Sequence, residues 1–219
     1  ANDSTELTFA GFGTMNGPDG KPFKTREGGV MRLDDLISMA REKAIARMAE
    51  VHVGDDMPAK EKEDVANKVA IAAIKFADLQ NARQVDYIFD LDRLTSFEGK
   101  TGPYMLYQAV RIKSLLRKAG YSSTDTTTLI MQDVDRPLAL MLTELPDSVD
   151  TAAKNYAPHY LCDYAYRLSQ AFSSFYGNCH ILSESDEKLR ASRLALCAQT
   201  YQRLELVLGL LGIDIPERM

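Results

Sequence analysis

From residue 33 onward, apolar side chains recur every three or four positions, which is the spacing of helices that bury one face. The clearest example covers residues 184–211, where Leu194, Cys197, Leu204 and Leu208 fall on one side. Glycine and proline residues divide this pattern into successive helices. They are predicted at about 33–51, 58–80, 103–119, 134–155 (two helices, broken near Pro146), 158–176 and 184–211. The fold is therefore predicted to be mainly α, with a helical bundle as its body.

The first part of the chain has a different pattern. Residues 6–13, ELTFAGFG, combine aromatic and β-branched side chains and predict one short strand. A turn-rich stretch, NGPDGKP, follows it. Residues 80–103 read as an irregular linker that contains a short extended segment, YIF. A small strand-and-loop remnant is therefore expected in front of the bundle.

Composition is that of a soluble globular protein, with 45% hydrophobic and 26% charged residues among 219. No apolar run approaches the ~18 residues that span a bilayer. We see no signal-peptide pattern, and the three cysteines do not form a disulfide framework, so we expect a reducing, cytoplasmic compartment. The first residue is Ala1, which suggests a processed chain or a piece of something longer.

The net charge of −5 argues against a strongly basic nucleic-acid binder. The charge is unevenly distributed, however. Residues 1–120 carry 18 basic and 18 acidic side chains, whereas residues 121–219 carry 8 basic and 13 acidic ones. A polyanion is therefore expected to meet the first half of the chain, or a local basic patch.

Residues 20–29, GKPFKTREGG, form a glycine-rich and locally cationic loop. Glycine-rich backbone can direct several N–H groups at an anion, and lysines neutralise phosphate charge. Lys21 and Lys24 therefore suggest a phosphate-handling loop, with a solvated surface hairpin as the alternative. The loop is not a Walker A element, because Met15 and Pro22 stand where that motif needs glycine and a hydroxyl residue.

The predicted helix at 103–119 has a second candidate surface. Tyr107, Arg111, Ser114 and Lys118 share one face of it. A tyrosine one turn from an arginine can stack an unpaired base and hold the adjacent phosphate. The alternative is the solvated side of an ordinary amphipathic helix.

Three further sets of polar residues have structural explanations that compete with chemical ones. His159, Cys162, Cys179 and His180 are a conceivable zinc set, but neighbours at 179 and 180 lack the usual ligand spacing, so we predict no metal site. The acidic residues of the linker favour structural hydrogen bonding over acid–base chemistry; they are Asp90, Asp92 and Glu98. For Arg190 and Arg193, intrahelical pairing and RNA contact remain open.

The segment GFGTMNGPDGKPFKTREGGVMRLDDLI resembles the end of the catalytic domain of arginyl-tRNA synthetases, which are class I enzymes. In that family KPFKT stands where most class I synthetases carry Lys-Met-Ser-Lys-Ser. The resemblance implies that Lys21 and Lys24 are the two catalytic lysines, which also bind ATP, and that Thr25 is the final hydroxyl. Phe23 replaces the first serine, a departure that the arginine enzymes generally share. The loop's implied role is to stabilise the triphosphate of ATP.

The resemblance continues along residues 75–120, 158–176 and 192–219, up to the C-terminal PERM, whereas residues 121–157 match only in length and helical character. It implies that residues 1–97 are the end of the catalytic domain with the signature loop and stem-side helices. Residues 98–219 are implied to be an all-α anticodon-binding domain.

For the helix at 103–119, the same resemblance favours an RNA-binding face over an ordinary solvated one. In the family, the matching Tyr-x-x-x-Arg pair faces the anticodon loop, and the extreme C-terminus lies toward it as well. The resemblance therefore implies a tRNA-binding set, which consists of Tyr107, Arg111, Lys118 and Met219.

Class I synthetases also need a His-x-Gly-His element to grip ATP, and none of the three histidines, His52, His159 and His180, is in that setting. The resemblance therefore implies the C-terminal portion of an arginine–tRNA ligase that is inactive alone. It implies ATP with magnesium in the full-length enzyme and none bound to this portion. The expected partners are arginine tRNA and the remaining N-terminal catalytic portion, with no membrane and a monomeric state. The alternative is a free-standing helical RNA-binding or scaffold module without catalysis.

Overall fold

A computed structural model describes residues 7–17, 19–21, 32–122 and 131–219. Helices dominate this part of the chain, and two short strands form a parallel pair. The elements are β1 (Met15–Asn16), α1 (Leu33–Glu50), α2 (Ala59–Leu79), β2 (Tyr87–Ile88), α3 (Leu91–Leu94), α4 (Gly102–Lys118), α5 (Arg136–Thr143), α6 (Leu145–Asn155), α7 (His159–Asn178) and α8 (Glu187–Leu210). A 3₁₀ turn (Ile181–Ser183) joins α7 to α8. The predicted mainly α bundle is confirmed, and each predicted helix is present with ends within a few residues.

The predicted strand at 6–13 is wrong. Residues 7–14 form no strand, and Phe9 and Phe12 are 95% and 84% exposed. The strand is instead Met15–Asn16, because β2 provides its partner there, with Met15 opposite Tyr87. β-Propensity alone does not form a strand without a neighbour that takes its hydrogen bonds. The extended segment predicted at 87–89 is confirmed in Tyr87–Ile88.

The short helix α3 was not expected within the linker. The Asp90 carboxylate accepts a hydrogen bond from the backbone N–H of Arg93 (3.2 Å) and caps this helix. Asp92 pairs with Lys43 of α1, and that hydrogen bond and charge lower the pKa of Asp92. The prediction that the linker carboxylates serve structural bonding is therefore confirmed for these two residues.

Side-chain caps fix the start of two long helices, α4 and α8. Thr101 precedes α4, and its hydroxyl accepts from the N–H of Tyr104 (3.3 Å). Asp186 precedes α8, and its carboxylate accepts from the N–H groups of Lys188 (2.9 Å) and Leu189 (3.1 Å). These caps satisfy N–H groups that have no partner within their own helix.

Helix α4 is central to the bundle and contacts α2, α7 and α8. Its inner face is fully buried at Met105, Leu106 and Ile112. These side chains join the main core with Leu168 and Phe172 of α7. A smaller core under the strands consists of Leu36, Ala77, Phe89 and Leu94.

The approach of α4 to α2 is closest at Gly102, the first residue of α4. A Cβ atom at this position would lie 2.1 Å from the carbonyl oxygen of Ala72. Because this oxygen is a backbone atom, it cannot rotate away as the end of a flexible side chain could. Only glycine therefore permits this crossing, which places the whole length of α4 relative to α2.

A buried ion pair connects α8 to the segment before α5. The Arg193 guanidinium contacts the Asp135 carboxylate (Nε–Oδ1 3.2 Å), and both side chains are buried. Arg193 also donates to Glu184 (3.0 Å) and to Gln132 Oε1 (2.8 Å). Each of its three guanidinium nitrogens thus donates to a residue outside α8, so Arg193 has a structural role, and neither RNA contact nor intrahelical pairing describes it.

Within the described residues, no helix is both long enough and apolar enough to cross a membrane.

Gly102→Ala is expected to lower the free energy of unfolding by about 1–3 kcal/mol, the usual range for overpacking a core contact. The added methyl group would collide with the α2 backbone and push the two helices apart. Thermal and urea unfolding followed by circular dichroism measures this change.

Gly209→Ala is the matched control. Gly209 is exposed near the end of α8, and a Cβ there meets nothing within 4 Å. Alanine should therefore stabilise the helix by about 0.5–1 kcal/mol. Equal stability of the two variants would contradict the close contact at Gly102.

Candidate nucleic-acid interface

An open groove of about 220 Å³ lies at the C-terminal half of α4. The four residues predicted to contact tRNA all line it: Tyr107, Arg111, Lys118 and Met219. Ser114, the fourth member of the predicted helix face, lines it as well. The structure therefore brings together side chains that are more than 100 positions apart in the chain.

Two elements position these groups. Helix α4 buries its opposite face in the core, so its Tyr107 and Lys118 side chains remain exposed on the groove side. The C-terminal tail crosses beside α4 and delivers Met219, which is half-buried against the core. One wall is thus a rigid helix and the other is the end of the chain.

Arg111 does not stack on Tyr107, which shares its helix, but on Tyr176 of α7. Its guanidinium carbon lies 4.2 Å from the centre of the Tyr176 ring. This cation–π contact holds the guanidinium at the Tyr176 ring. The Tyr107 side chain remains 40% exposed. The Tyr176 ring packs in turn against Phe172, with the ring centres 5.7 Å apart.

Tyr176 and Leu182 are groove residues that the sequence reasoning missed. Tyr176 follows the buried Phe175 at the end of a predicted helix, and nothing in its spacing indicated that it meets α4. The available signal was its i, i+4 relation to Phe172. Only the packing of α7 against α4 brings its ring under Arg111.

The groove combines aromatic surface, apolar side chains and positive charge. Tyr107 offers an exposed ring, Met219 and Leu182 offer apolar surface, and Arg111 and Lys118 offer cations. No acidic residue lines it in the part of the chain described here. These are the groups that stack an unpaired base and neutralise its phosphates.

The tail is held on both sides by ion pairs of opposite sign. The Glu217 carboxylate accepts a hydrogen bond from Lys113 of α4. The Arg218 guanidinium forms a two-pronged contact with Glu61 of α2 (2.7 and 2.9 Å) and contacts Asp56 (2.9 Å). The hydrogen bond from Arg218 lowers the pKa of Glu61, and the one from Lys113 lowers the pKa of Glu217.

Of the three predicted catalytic residues of the signature loop, Lys21 lies within the described part of the chain, and Lys24 and Thr25 lie outside it. Lys21 is exposed at the end of a turn. Its carbonyl accepts from the N–H of Gly17 (2.9 Å), and its N–H donates to the Asp19 carboxylate (3.2 Å). The Lys21 side chain does not line the groove at α4.

The cysteine and histidine set has no metal-binding geometry. Among the residues the structure describes, no group of three or more His, Cys, Asp or Glu side chains could hold a metal ion. All three cysteines are buried and free, and burial raises the pKa of Cys162 to about 12. His159 packs its ring against Tyr160, with ring centres 4.3 Å apart.

A cavity of about 720 Å³ lies between the end of α1 and the start of α4. Arg47, Arg93 and Lys100 line it together with Glu50, Asp92 and Glu98, so its basic and acidic residues are equal in number. None of the sequence-predicted site residues reaches it. It therefore presents no net cationic surface of the kind found in the groove.

The order of the tail is expected to depend on pH. Because the pKa values of Glu61 and Glu217 are lowered in the folded protein, their ion pairs stabilise the tail fully above the ordinary glutamate pKa of 4.5. That stabilisation is lost as the pH falls through the lowered values. The Met219 methyl signal in NMR spectra should then narrow and move toward its random-coil position.

Met105 is the internal control for this titration because its methyl group is fully buried in the core. Its signal should hold while that of Met219 changes. A tail signal that is constant down to the pH of global unfolding would contradict the role of these carboxylates.

Comparison with known proteins gives the family. Residues 105–219 match the family model of the DALR anticodon binding domain, and residues 1–91 match that of the class I (R) tRNA synthetase catalytic domain. The arginine–tRNA ligase of Maricaulis maris is 53% identical over 214 residues, which are 97% of this chain and 36% of the relative. That of Alkaliphilus oremlandii is 44% identical over 222 residues, 100% of this chain and 37% of the relative. The chain thus spans little more than a third of the length of these curated relatives.

Solved structures agree with this similarity. The arginyl-tRNA synthetase of Thermus thermophilus superposes with a TM-score of 0.83 at 30% identity, over 95% of this chain and 35% of that one. The enzyme from Plasmodium falciparum superposes with a TM-score of 0.74 at 27% identity, over the same shares. The chain belongs to the class I arginine–tRNA ligase family and carries the family's DALR anticodon-binding domain.

Proposed function

We propose that this chain supplies the tRNA-binding part of an arginine–tRNA ligase, which uses ATP to attach arginine to its tRNA. It acts with the remaining catalytic portion of the same enzyme, as a monomer in the cytoplasm. Residues 1–97 belong to the catalytic side and residues 98–219 form the anticodon-binding domain. Membership of the arginine–tRNA ligase family supports this assignment.

The observation that carries the proposal is the groove at α4. Arg111 is held over Tyr176, and the exposed Tyr107 ring stands one turn away on the same helix. A base of the anticodon loop stacks on Tyr107, and Arg111 and Lys118 neutralise the neighbouring phosphates. Met219 closes the groove from the side of the tail.

The acidic net charge is compatible with this role because the positive charge is local. Helix α4 contains four basic residues and no acidic one, and Lys118 and Arg117 are exposed at its end. Few phosphates are contacted, so the affinity falls with salt on a shallow slope. Recognition of the loop then depends on stacking more than on charge.

Tyr107→Ala and Arg111→Ala are each expected to weaken binding of arginine tRNA by about 1–3 kcal/mol, the range for losing a stacked base or a bidentate contact. Filter binding of the chain to this tRNA, with and without its anticodon loop, measures the effect. The loss should appear with the intact tRNA and vanish with the loopless one.

Tyr160→Ala is the matched control. Tyr160 is 39% exposed, against 40% for Tyr107, and it stands at the start of α7 away from the groove. Its removal should leave affinity unchanged. Equal affinity of wild type, Tyr107→Ala and Arg111→Ala for both tRNA forms would refute the groove as the anticodon site.

The second part of the proposal concerns the signature loop. Lys21 and Lys24 would bind the triphosphate of ATP, which would be held with magnesium in the full-length enzyme, and Thr25 would supply the final hydroxyl of the catalytic motif. The supporting observations are the match of residues 1–91 to the class I catalytic domain and the exposed position of Lys21. The lysines would offset negative charge as it develops on the phosphates, while the arginine carboxylate attacks the α-phosphate of ATP and pyrophosphate leaves.

Lys24→Ala in the complete ligase is expected to lower the rate of arginyl-tRNA formation by about 10²-fold or more, as for loss of one transition-state donor. Affinity for tRNA should not change, because the proposed tRNA contacts are made by the residues that line the groove at α4. Single-turnover aminoacylation at saturating tRNA measures the rate. Lys60→Ala, an exposed lysine at the start of α2, is the control, and equal rates for the two variants would refute the assignment.

A further inference from the structure

The C-terminal tail meets two helices through adjacent residues of opposite charge. Glu217 pairs with Lys113 of α4, and Arg218 pairs with Glu61 of α2 and with Asp56 just before it. Earlier in the tail, Pro216 is buried, and Ile213 is buried in the core. Packing therefore holds the tail up to residue 216, and ion pairs hold residues 217 and 218.

Ion pairs of this kind contribute little to global stability. The side chains of Glu61 and Arg218 are both about one-third exposed and that of Asp56 is largely exposed, so water screens their attraction. Terminal residues are poorly ordered unless something ties them down. The two-pronged geometry of Arg218 and Glu61 therefore matters mainly for where the last residue lies.

Arg218 and Met219 are neighbours in the chain but contact different surfaces of the protein. The Arg218 side chain turns toward α2 and does not line the groove, whereas Met219 does. Every charged contact of Arg218 is with protein carboxylates. Arg218 is thus in place to fix Met219 without reaching a nucleotide itself.

We propose that Arg218 is a positioning residue for the groove: its ion pairs with Glu61 and Asp56 hold Met219 against α4 before RNA arrives. This inference rests on the proposed function of the groove as the anticodon site. A wall ordered in advance spares the complex the entropy of ordering the tail on binding. The ion pairs of Arg218 also connect the tail beside the groove to α2, which lies in the segment that matches the catalytic-domain family.

A direct phosphate contact by Arg218 is the competing explanation, and a double-mutant cycle separates the two. The chain is tested as wild type, Arg218→Ala, Met219→Ala and the double variant, by filter binding to arginine tRNA. Arg218→Ala should weaken binding about tenfold. The double variant should bind no more weakly than Met219→Ala alone, because Arg218 acts through Met219.

Charge reversal gives a second readout. Arg218→Glu combined with Glu61→Arg should restore most of the affinity lost by Arg218→Glu alone, which a phosphate contact could not do. Glu61→Gln removes the partner from the other side and should reproduce the loss if Arg218→Ala does not fold. In the free protein, the Met219 methyl NMR signal should become narrower in Arg218→Ala. Its line width should return to that of the wild type in the charge-reversed double variant.

Arg41→Ala is the matched control because it breaks another arginine–glutamate pair, between Arg41 of α1 and Glu63 of α2, in which Arg218 takes no part. It should change neither affinity nor the Met219 signal. Additive losses in the cycle, or unchanged affinity in Arg218→Ala while Tyr107→Ala still weakens binding, would overturn the positioning role and leave the anticodon site standing. Unchanged affinity in both would overturn the site itself.

Discussion

The absence of a side chain at Gly102 is the constraint on which the arrangement of this protein depends. It lets the start of α4 lie directly against the backbone of α2 at Ala72. With its start held there, α4 also packs against α7 and α8 through its buried face. Because α4 is packed against three helices, one of its faces remains exposed, and this face forms a wall of the groove.

The groove then follows from what the neighbouring elements add to that wall. Helix α7 places the Tyr176 ring against the Arg111 guanidinium. This contact restrains the position of an otherwise flexible side chain. The tail adds Met219 from the far end of the chain, held by charges that belong to α2 and α4. Three separate parts of the sequence thus build one surface that is aromatic, apolar and cationic. The buried pair of Arg193 and Asp135 keeps α8 in place behind it.

Much of this could be predicted from residue spacing. The helices follow from apolar periodicity and from glycine and proline breaks, and all are present near their predicted ends. The face with Tyr107, Arg111 and Lys118 could be predicted because helix geometry alone sets it. The strand could not be located from propensity, because the residues that favour strands at 7–13 have no partner, and Met15 has one in Tyr87. The buried pairing of Arg193 was likewise invisible, since its partners lie 9 or more positions away.

The sequence by itself determined the helical class, the approximate ends of the helices and the exposed face of α4, because each depends on neighbours within a few residues. It also carried enough family resemblance to bring Met219 into the site. The tertiary structure alone decided that Arg111 stacks on Tyr176 and that Arg218 turns away from the groove toward Glu61. Those choices depend on how helices cross, and crossing is set by close packing between residues far apart in the chain.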